Sequence, residues 1–304
     1  MFAPPPEIEA TVFSALPEAL RISDRRSDWA FGKGDKPLHS FLEGPSFDRD
    51  GNLLLVDVAY GRVFKVSPAG EWEVLAAYDG WPNGLKIHRD GRVFITDHKH
   101  GIMRLDPASG TVTPALTRVR REGFKGVNDL VFASNGDMYF TDQGQTGLQD
   151  ASGCVYRWRA DGQVDLLLDG VPSPNGLVLT ADEKTLLLAV TRANQIWRLP
   201  LHADGTTTKV GAFITLSGGL AGPDGLALDE AGGLAVAHCG LGSVWLFSRL
   251  GEPVLRIRAP AGLQVTNLAY GGPDRRTLFI TEADTGTILA ARVEVPGAAM
   301  YAHA

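Results

Sequence analysis

One phrase recurs six times along this chain, and that recurrence limits the folds open to it more than any other feature. A polar residue, usually followed by Gly, leads an apolar pair with one residue between. A Gly-bearing turn follows, then an apolar run ending in Asp or a similar residue. The phrase reads EGPSFDRDGNLLLVD from Glu43, NGLKIHRDGRVFITD from Asn83 and NDLVFASNGDMYFTD from Asn128. It continues as NGLVLTADEKTLLLAV from Asn175, DGLALDEAGGLAVAH from Asp224 and TNLAYGGPDRRTLFITE from Thr266. A repeat of about 40–50 residues is the period of a radial array with one small sheet per copy.

Each copy alternates apolar and polar residues between turn-formers, as a meander of four strands does. In the second copy GLKIH and RVFITD are joined at Arg89-Asp90-Gly91, and GIMRLD and VTPALT at Pro107 to Gly110. The 36 Gly and 18 Pro, spread along all 304 residues, suit many short strands better than long helices. The expectation is an all-β, six-bladed β-propeller of four-stranded blades, one domain over residues 1–304 with blades from about residue 42. The sixth copy runs out of chain after three strands. A strand near residues 8–16, Ile8-EATVFSAL, lies outside every copy and is expected to supply the fourth, closing the ring without a free edge. Residues 17–41, with Arg21, Asp24, Arg25, Arg26 and Trp29, read as a covering loop rather than a helix.

Charge and composition exclude several classes. The net charge of −6 argues against nucleic acid, which needs concentrated positive charge. No apolar run reaches the roughly 18 residues of a membrane span, so no membrane partner is expected. MFAPPPEIEA has neither a basic nor an apolar leader region, and two cysteines, Cys154 and Cys239, make no disulfide framework. A cytoplasmic setting is the expectation. No G-x-S-x-G, phosphate loop or dinucleotide fingerprint is present, so serine-hydrolase and nucleotide readings fall away.

In a four-stranded blade the first strand lines the channel, so the leading residues of the six copies form a ring: Glu43, Asn83, Asn128, Asn175, Asp224 and Thr266. Asn-Gly and Asp-Gly are common turn pairs, and any one alone is better read as a turn. Glu43 and Thr266 keep the same register without that excuse. Two carboxylates converging on a narrow channel repel unless a positive charge lies between them. Carboxylate and amide oxygens suit one hard divalent cation, calcium first, with magnesium or manganese next and zinc disfavoured for want of His or Cys.

The phrase, with Glu43-Gly-Pro, Asn128-Asp, Pro174-Asn175-Gly and Pro223-Asp224-Gly in order, resembles the senescence marker protein, gluconolactonase and luciferin-regenerating enzyme family over about residues 41–290. That resemblance implies a six-bladed propeller with one catalytic divalent cation, often calcium, in its channel. It places metal ligands on Glu43, Asn175 and Asp224, with Asn128 as ligand or substrate contact, and a general base on Asp224. The implied activity is opening of a small-molecule lactone, for which sugar lactones are the common substrates. Sugar-lactone members commonly carry Arg two residues before the asparagine. This chain has Gly126 there, with Lys125, Arg118, Arg120 and Arg121 nearby, so ordinary aldonolactone specificity is not carried over.

Chemically, a cation on the carbonyl stabilises the oxyanion while Asp224 orients or deprotonates the attacking water. Acidification of the water by the cation is an equally open source of the nucleophile. Other rim residues carry two readings each. Arg192 has the fork to grip a substrate carboxylate, or it forms a surface salt bridge. His238 is a proton carrier or a packing residue beside the channel, and Trp81 an apolar wall or simply core. His98 and His100 read as an exposed loop pair rather than ligands, and Gln143 to Gln149 lie on the same rim. Asn83 is expected to touch substrate. Two alternatives stand beside the lactonase: the same site acting on a phosphoester or phosphofluoridate, and a propeller used as a non-catalytic binding platform.

Overall fold

In a computed structural model, which describes residues 2–31 and 37–303, each repeat phrase opens one four-stranded antiparallel blade. The innermost strands are Leu42–Phe47, Pro82–Ile87, Val127–Phe132, Pro174–Leu179, Gly222–Leu228 and Val265–Gly271. Each touches the next in order, and the sixth touches the first, so the sheets form a closed six-bladed β-propeller. Among the described residues the helical segments are single 3₁₀ turns, and no helix is long and apolar enough to cross a membrane.

The hydrophobic core is divided among the blade interfaces, because a blade has two apolar faces and can bury them only against its neighbours. Leu54, Val56, Leu85 and Ile95 fill the space between blades one and two. Phe94, Leu130 and Phe140 do so between two and three. Val155 with Leu177, and Val236 with Leu187, continue the series around the ring. Phe140 is fully buried and stacks on Tyr156 at 5.3 Å. Phe140→Ala is expected to cost about 3–5 kcal/mol, read as a lower midpoint in urea with an unchanged slope. A loss under about 1 kcal/mol would contradict this account of the core.

The N-terminal segment closes the ring, but it does so as two strands. Thr11–Ala15 pairs antiparallel with Thr287–Arg292 and completes blade six. Glu7–Glu9, part of which was expected to belong to that strand, runs parallel to Pro253–Arg258 as a fifth strand of blade five. The division falls at buried Ala10, whose N–H donates to Arg258 O at 2.9 Å. The segment thus bridges the two blades beside the closure. Beyond it the described part of residues 17–41 holds two 3₁₀ turns, Glu18–Leu20 and Asp28–Ala30, and no α-helix; residues 32–36 lie outside the described residues. Trp29 packs on Phe41 with ring centroids 4.7 Å apart, over Val58 and Ala59 of blade one.

Candidate active site

The repeat phrase presents its leading side chain through a local irregularity. In blades one to five the pairing of first and second strands shifts just after the leading residue, between Glu43 and Ser46 and between Pro174 and Leu177, for example. The glycine that follows is needed for close approach: a Cβ on Gly176 would come within 2.3 Å of Asp224 O. Adjacent blades are tied at this height by threonines. Thr141 Oγ1 donates to Asn175 O at 2.9 Å, Thr191 Oγ1 to Pro223 O at 2.8 Å, and Thr96 Oγ1 to Asn128 O.

The acid ending the phrase has a separate task that sequence reading left unassigned. Asp57 accepts from Phe41 N at 2.7 Å, and Asp142 from Lys125 N and Gly126 N at 3.0 and 2.8 Å. Glu282 accepts from Gln264 N at 3.1 Å. Each carboxylate staples the loop that enters its own blade, which fixes the rim of the channel. An acid at the end of four of the six phrases, Asp57, Asp97, Asp142 and Glu282, was the available signal.

These devices frame a cavity of about 780 Å³ on one face of the ring. Glu43, Asn83, Asn128, Asn175 and Asp224 line its depth, all buried. Thr266, expected as the sixth ring member, does not line it. Its hydroxyl turns to the backbone, donating to Leu42 O at 2.8 Å. Blade six contributes Gln264 and Asp284 to the lining, while Asn267, outside it, donates from Nδ2 to Glu43 Oε2 at 3.0 Å and to Asp129 Oδ2 at 3.4 Å. Asp129 also faces Lys86 Nζ at 3.9 Å. Neither Asp129 nor Asn267 was expected, although both break the glycine that follows the leading residue elsewhere.

The electrostatics of the cavity floor are unfavourable for the protein alone. Burial, then the Asp224 charge, and further the Asp129 charge push the Glu43 carboxyl well above its usual range. Asn128 Nδ2 donates to Gln143 Oε1 at 3.1 Å, which leaves its Oδ1 buried without a hydrogen-bond partner. Two carboxylates and an orphaned amide oxygen are the donor set of a hard divalent cation, so the residues fit such a group. Among the described residues no cluster of three His, Cys, Asp or Glu side chains has a metal-holding arrangement, so a cation bound here would need amide oxygens as well.

Above the floor, Trp29, Leu38 and Phe41 form one wall, while His98, Ser173 and Arg192 lie elsewhere around it. Asn83 Nδ2 lies 3.1 Å from His98 Nε2. Two residues expected at substrate stand away from it. His238 is fully buried outside the lining, with Trp245 Nε1 donating to its Nδ1 at 3.2 Å, and burial lowers its pKa to about 4. It is a packing residue, because its side chain points away from the channel while Cys239, its neighbour along the strand, lines it. Trp81 backs the wall by packing with Trp29 and Phe41 and does not line the cavity.

A family model described as SMP-30/Gluconolactonase/LRE-like region matches residues 41–284, which hold blades one to five and the two inner strands of blade six. The chain belongs to this family. Among its relatives, lactonase drp35 of Staphylococcus aureus strain MRSA252 is 34% identical over 230 residues, covering 72% of this chain and 70% of that protein. The same lactonase from strain MW2 is 31% identical over 272 residues, covering 85% and 81%. Of solved structures, a gluconolactonase from Xanthomonas campestris superposes with a TM-score of 0.74 at 25% identity, over 96% of this chain and 99% of that one. The calcium-binding protein regucalcin from Agrobacterium tumefaciens gives 0.74 at 24% identity, over 97% and 99%, and shares the fold. Membership accounts for the six-fold phrase as one inherited blade pattern, of which 41–284 is the matched part.

Proposed function

We propose that this member of the SMP-30/gluconolactonase/LRE-like family is a divalent-metal-dependent lactonase that opens the ring of a small lactone by attack of water on its carbonyl. The observation that carries this is the pairing of Glu43 and Asp224 on the floor of an open cavity, beside the unpartnered Asn128 Oδ1. Lactonase names among the relatives support the reaction class, and the regucalcin likeness accords with calcium. Glu43, Asn175 and Asp224, with Asn128, would hold the cation. When bound, it would supply charge to polarise the substrate carbonyl and to acidify water.

The chain's own residues supply the rest. Asp224 orients the water and takes its proton as the new C–O bond forms. The ring C–O bond then breaks, and the leaving alkoxide recovers a proton to give a hydroxy acid. Asn83 and Arg192, both on the cavity wall, contact the substrate body. Burial of the reacting atoms among Glu43, Asn128 and Asn175 limits competing solvent and strengthens each polar contact. Metal analysis followed by a lactone panel, read as proton release, tests the proposal. Activity that survives complete chelation, or a metal-loaded protein that opens no lactone, would overturn it.

Glu43→Gln keeps the size of the side chain and removes one of two facing charges. Calcium is expected to bind at least about tenfold more weakly, so that its addition raises the melting temperature less than in wild type. Metal-free, the variant is expected to melt no lower, since the repulsion with Asp224 is gone. Undiminished calcium stabilisation would remove Glu43 from the ligand set.

A further inference from the structure

The repeat phrase lines a second cavity, at the far end of the channel. Three residues after each leading position stand Ser46, Lys86, Val131, Val178, Ala227 and Ala269, and all six line a space of about 390 Å³. About 10 Å of strand separates them from the leading residues, and no residue lines both cavities. In this lower ring Lys86 is the one charged member. The C-terminal segment crosses beneath it. Gly297 N donates to Arg275 O at 2.8 Å and Ala298 N to Leu228 O at 2.9 Å, which fixes the segment to blades six and five. At its other end Arg49 Nε donates to Ala302 O at 2.9 Å, and Tyr301 stacks on Phe132 of blade three at 5.0 Å. Ala299 and Met300, between these anchors, line the cavity.

Most of the lining is apolar, and Phe132, Leu226 and Tyr270 are buried parts of it. Lys86 stands among them with its side chain 27% exposed. Its ion-pair partner, Asp129 Oδ1, is 3.9 Å away, too far for a hydrogen bond, so the ammonium keeps donors for a group in the cavity. The two acids of the lining are engaged in their own turns, after the innermost strands of blades four and five. Glu183 accepts from Ser134 N and Oγ at 2.6 and 2.9 Å, and Asp229 Oδ1 from Ala231 N and Gly233 N at 2.9 and 2.7 Å. An apolar lining with one such cation complements a molecule that has a hydrocarbon body and a single negative charge.

We propose that this far cavity is a second binding site, for a small amphiphilic monocarboxylate. Its head group meets Lys86 Nζ, and its hydrocarbon body lies against Val131, Val178 and Leu226, beside Met300. The inference stands on the far cavity and does not depend on the lactonase reading. One ammonium in an apolar surround balances one negative charge, which favours a carboxylate over a phosphate dianion. Each methylene gains by leaving water for the apolar lining, and the carboxylate keeps a charge-assisted hydrogen bond there.

The test is calorimetric titration of the full-length, calcium-loaded protein at neutral pH with octanoate, octanol and octylammonium. Octanoate is expected to bind at one site, at least about tenfold more tightly than octanol, and octylammonium to show no saturable binding. From hexanoate to octanoate the affinity is expected to rise about two- to threefold per methylene, short of the roughly fourfold of full burial. Lys86→Met keeps the stem and removes the charge. It is expected to weaken octanoate by about tenfold or more and to leave octanol within about twofold, while Lys86→Arg retains octanoate. Ala227→Phe fills the cavity and is expected to weaken octanoate and octanol alike, with the melting temperature of each variant verifying its fold. The inference is overturned if wild type shows no saturable octanoate binding or binds octylammonium as tightly. It is overturned too if Lys86→Met binds octanoate with unchanged affinity, since the carboxylate then sits elsewhere, as on a cation in the catalytic cavity. The comparison of the three ligands in wild type needs no variant, so it decides even where a substitution disturbs folding.

Discussion

Replacing Asp224 with Asn is expected to lower lactone turnover by about 10²-fold or more at saturating divalent metal, the usual contribution of a positioned general base. The variant keeps an oxygen donor at the same place, so metal binding weakens without being abolished. What disappears is the ability to accept a proton from the attacking water. Asp224 is suited to that task by its place in the cavity with Glu43, where charge repulsion raises the affinity of the pair for a positive partner. Turnover and metal occupancy have to be measured on the same samples, because lost occupancy imitates lost chemistry. A metal-saturated Asp224→Asn protein that turns over at the wild-type rate would leave Asp224 as a ligand alone. A loss confined to the Michaelis constant would assign it to substrate binding.

Much of the architecture is legible in the chain because one pattern carries it six times. Period-two alternation between Gly- and Asp-bearing turns specifies strands, and the repeat length specifies blades. The leading residue of each phrase therefore locates the channel, and five of the six such residues do line one cavity. What the pattern hides is depth and direction at single positions. Thr266 holds the register of the ring, yet a hydroxyl on so short a side chain is satisfied by the adjacent carbonyl of Leu42. Asn267, one position later, is long enough to reach Glu43. His238 and Cys239 are neighbours on one strand, and strand alternation sends one to packing and the other to the cavity. Sequence alone does not say which of the two faces the channel, which is why His238 carried both a proton-carrier and a packing reading. The break at Ala10 is hidden for another reason: it depends on the distance between blades five and six, a tertiary quantity with no local signal.

Removing residues 2–16 is expected to unfold the protein or drive it to aggregate, whereas removing residues 2–9 should be mild. The longer deletion takes the fourth strand of blade six, Thr11–Ala15, and with it the antiparallel ladder along Thr287–Arg292. It also removes Leu16, 2% exposed in the cluster between blades six and one, and Phe13, which meets Phe279 edge-on at 5.1 Å. Loss of one buried leucine costs about 2–5 kcal/mol. The ladder and Phe13 add to that, against a total stability of about 5–15 kcal/mol for a typical domain. The exposed edge is then free to pair with another molecule. Deletion of residues 2–9 takes the parallel strand Glu7–Glu9, all three of whose residues are exposed, and its ion pairs with Arg256 and Arg258 lie at the surface, where such pairs contribute little. The expected order is a shift of a few degrees for the shorter deletion and no cooperative melting for the longer one. Equal melting temperatures for the two truncated proteins would mean that the ring holds without its N-terminal strand, and that the contacts between the innermost strands of blades one and six suffice to close it.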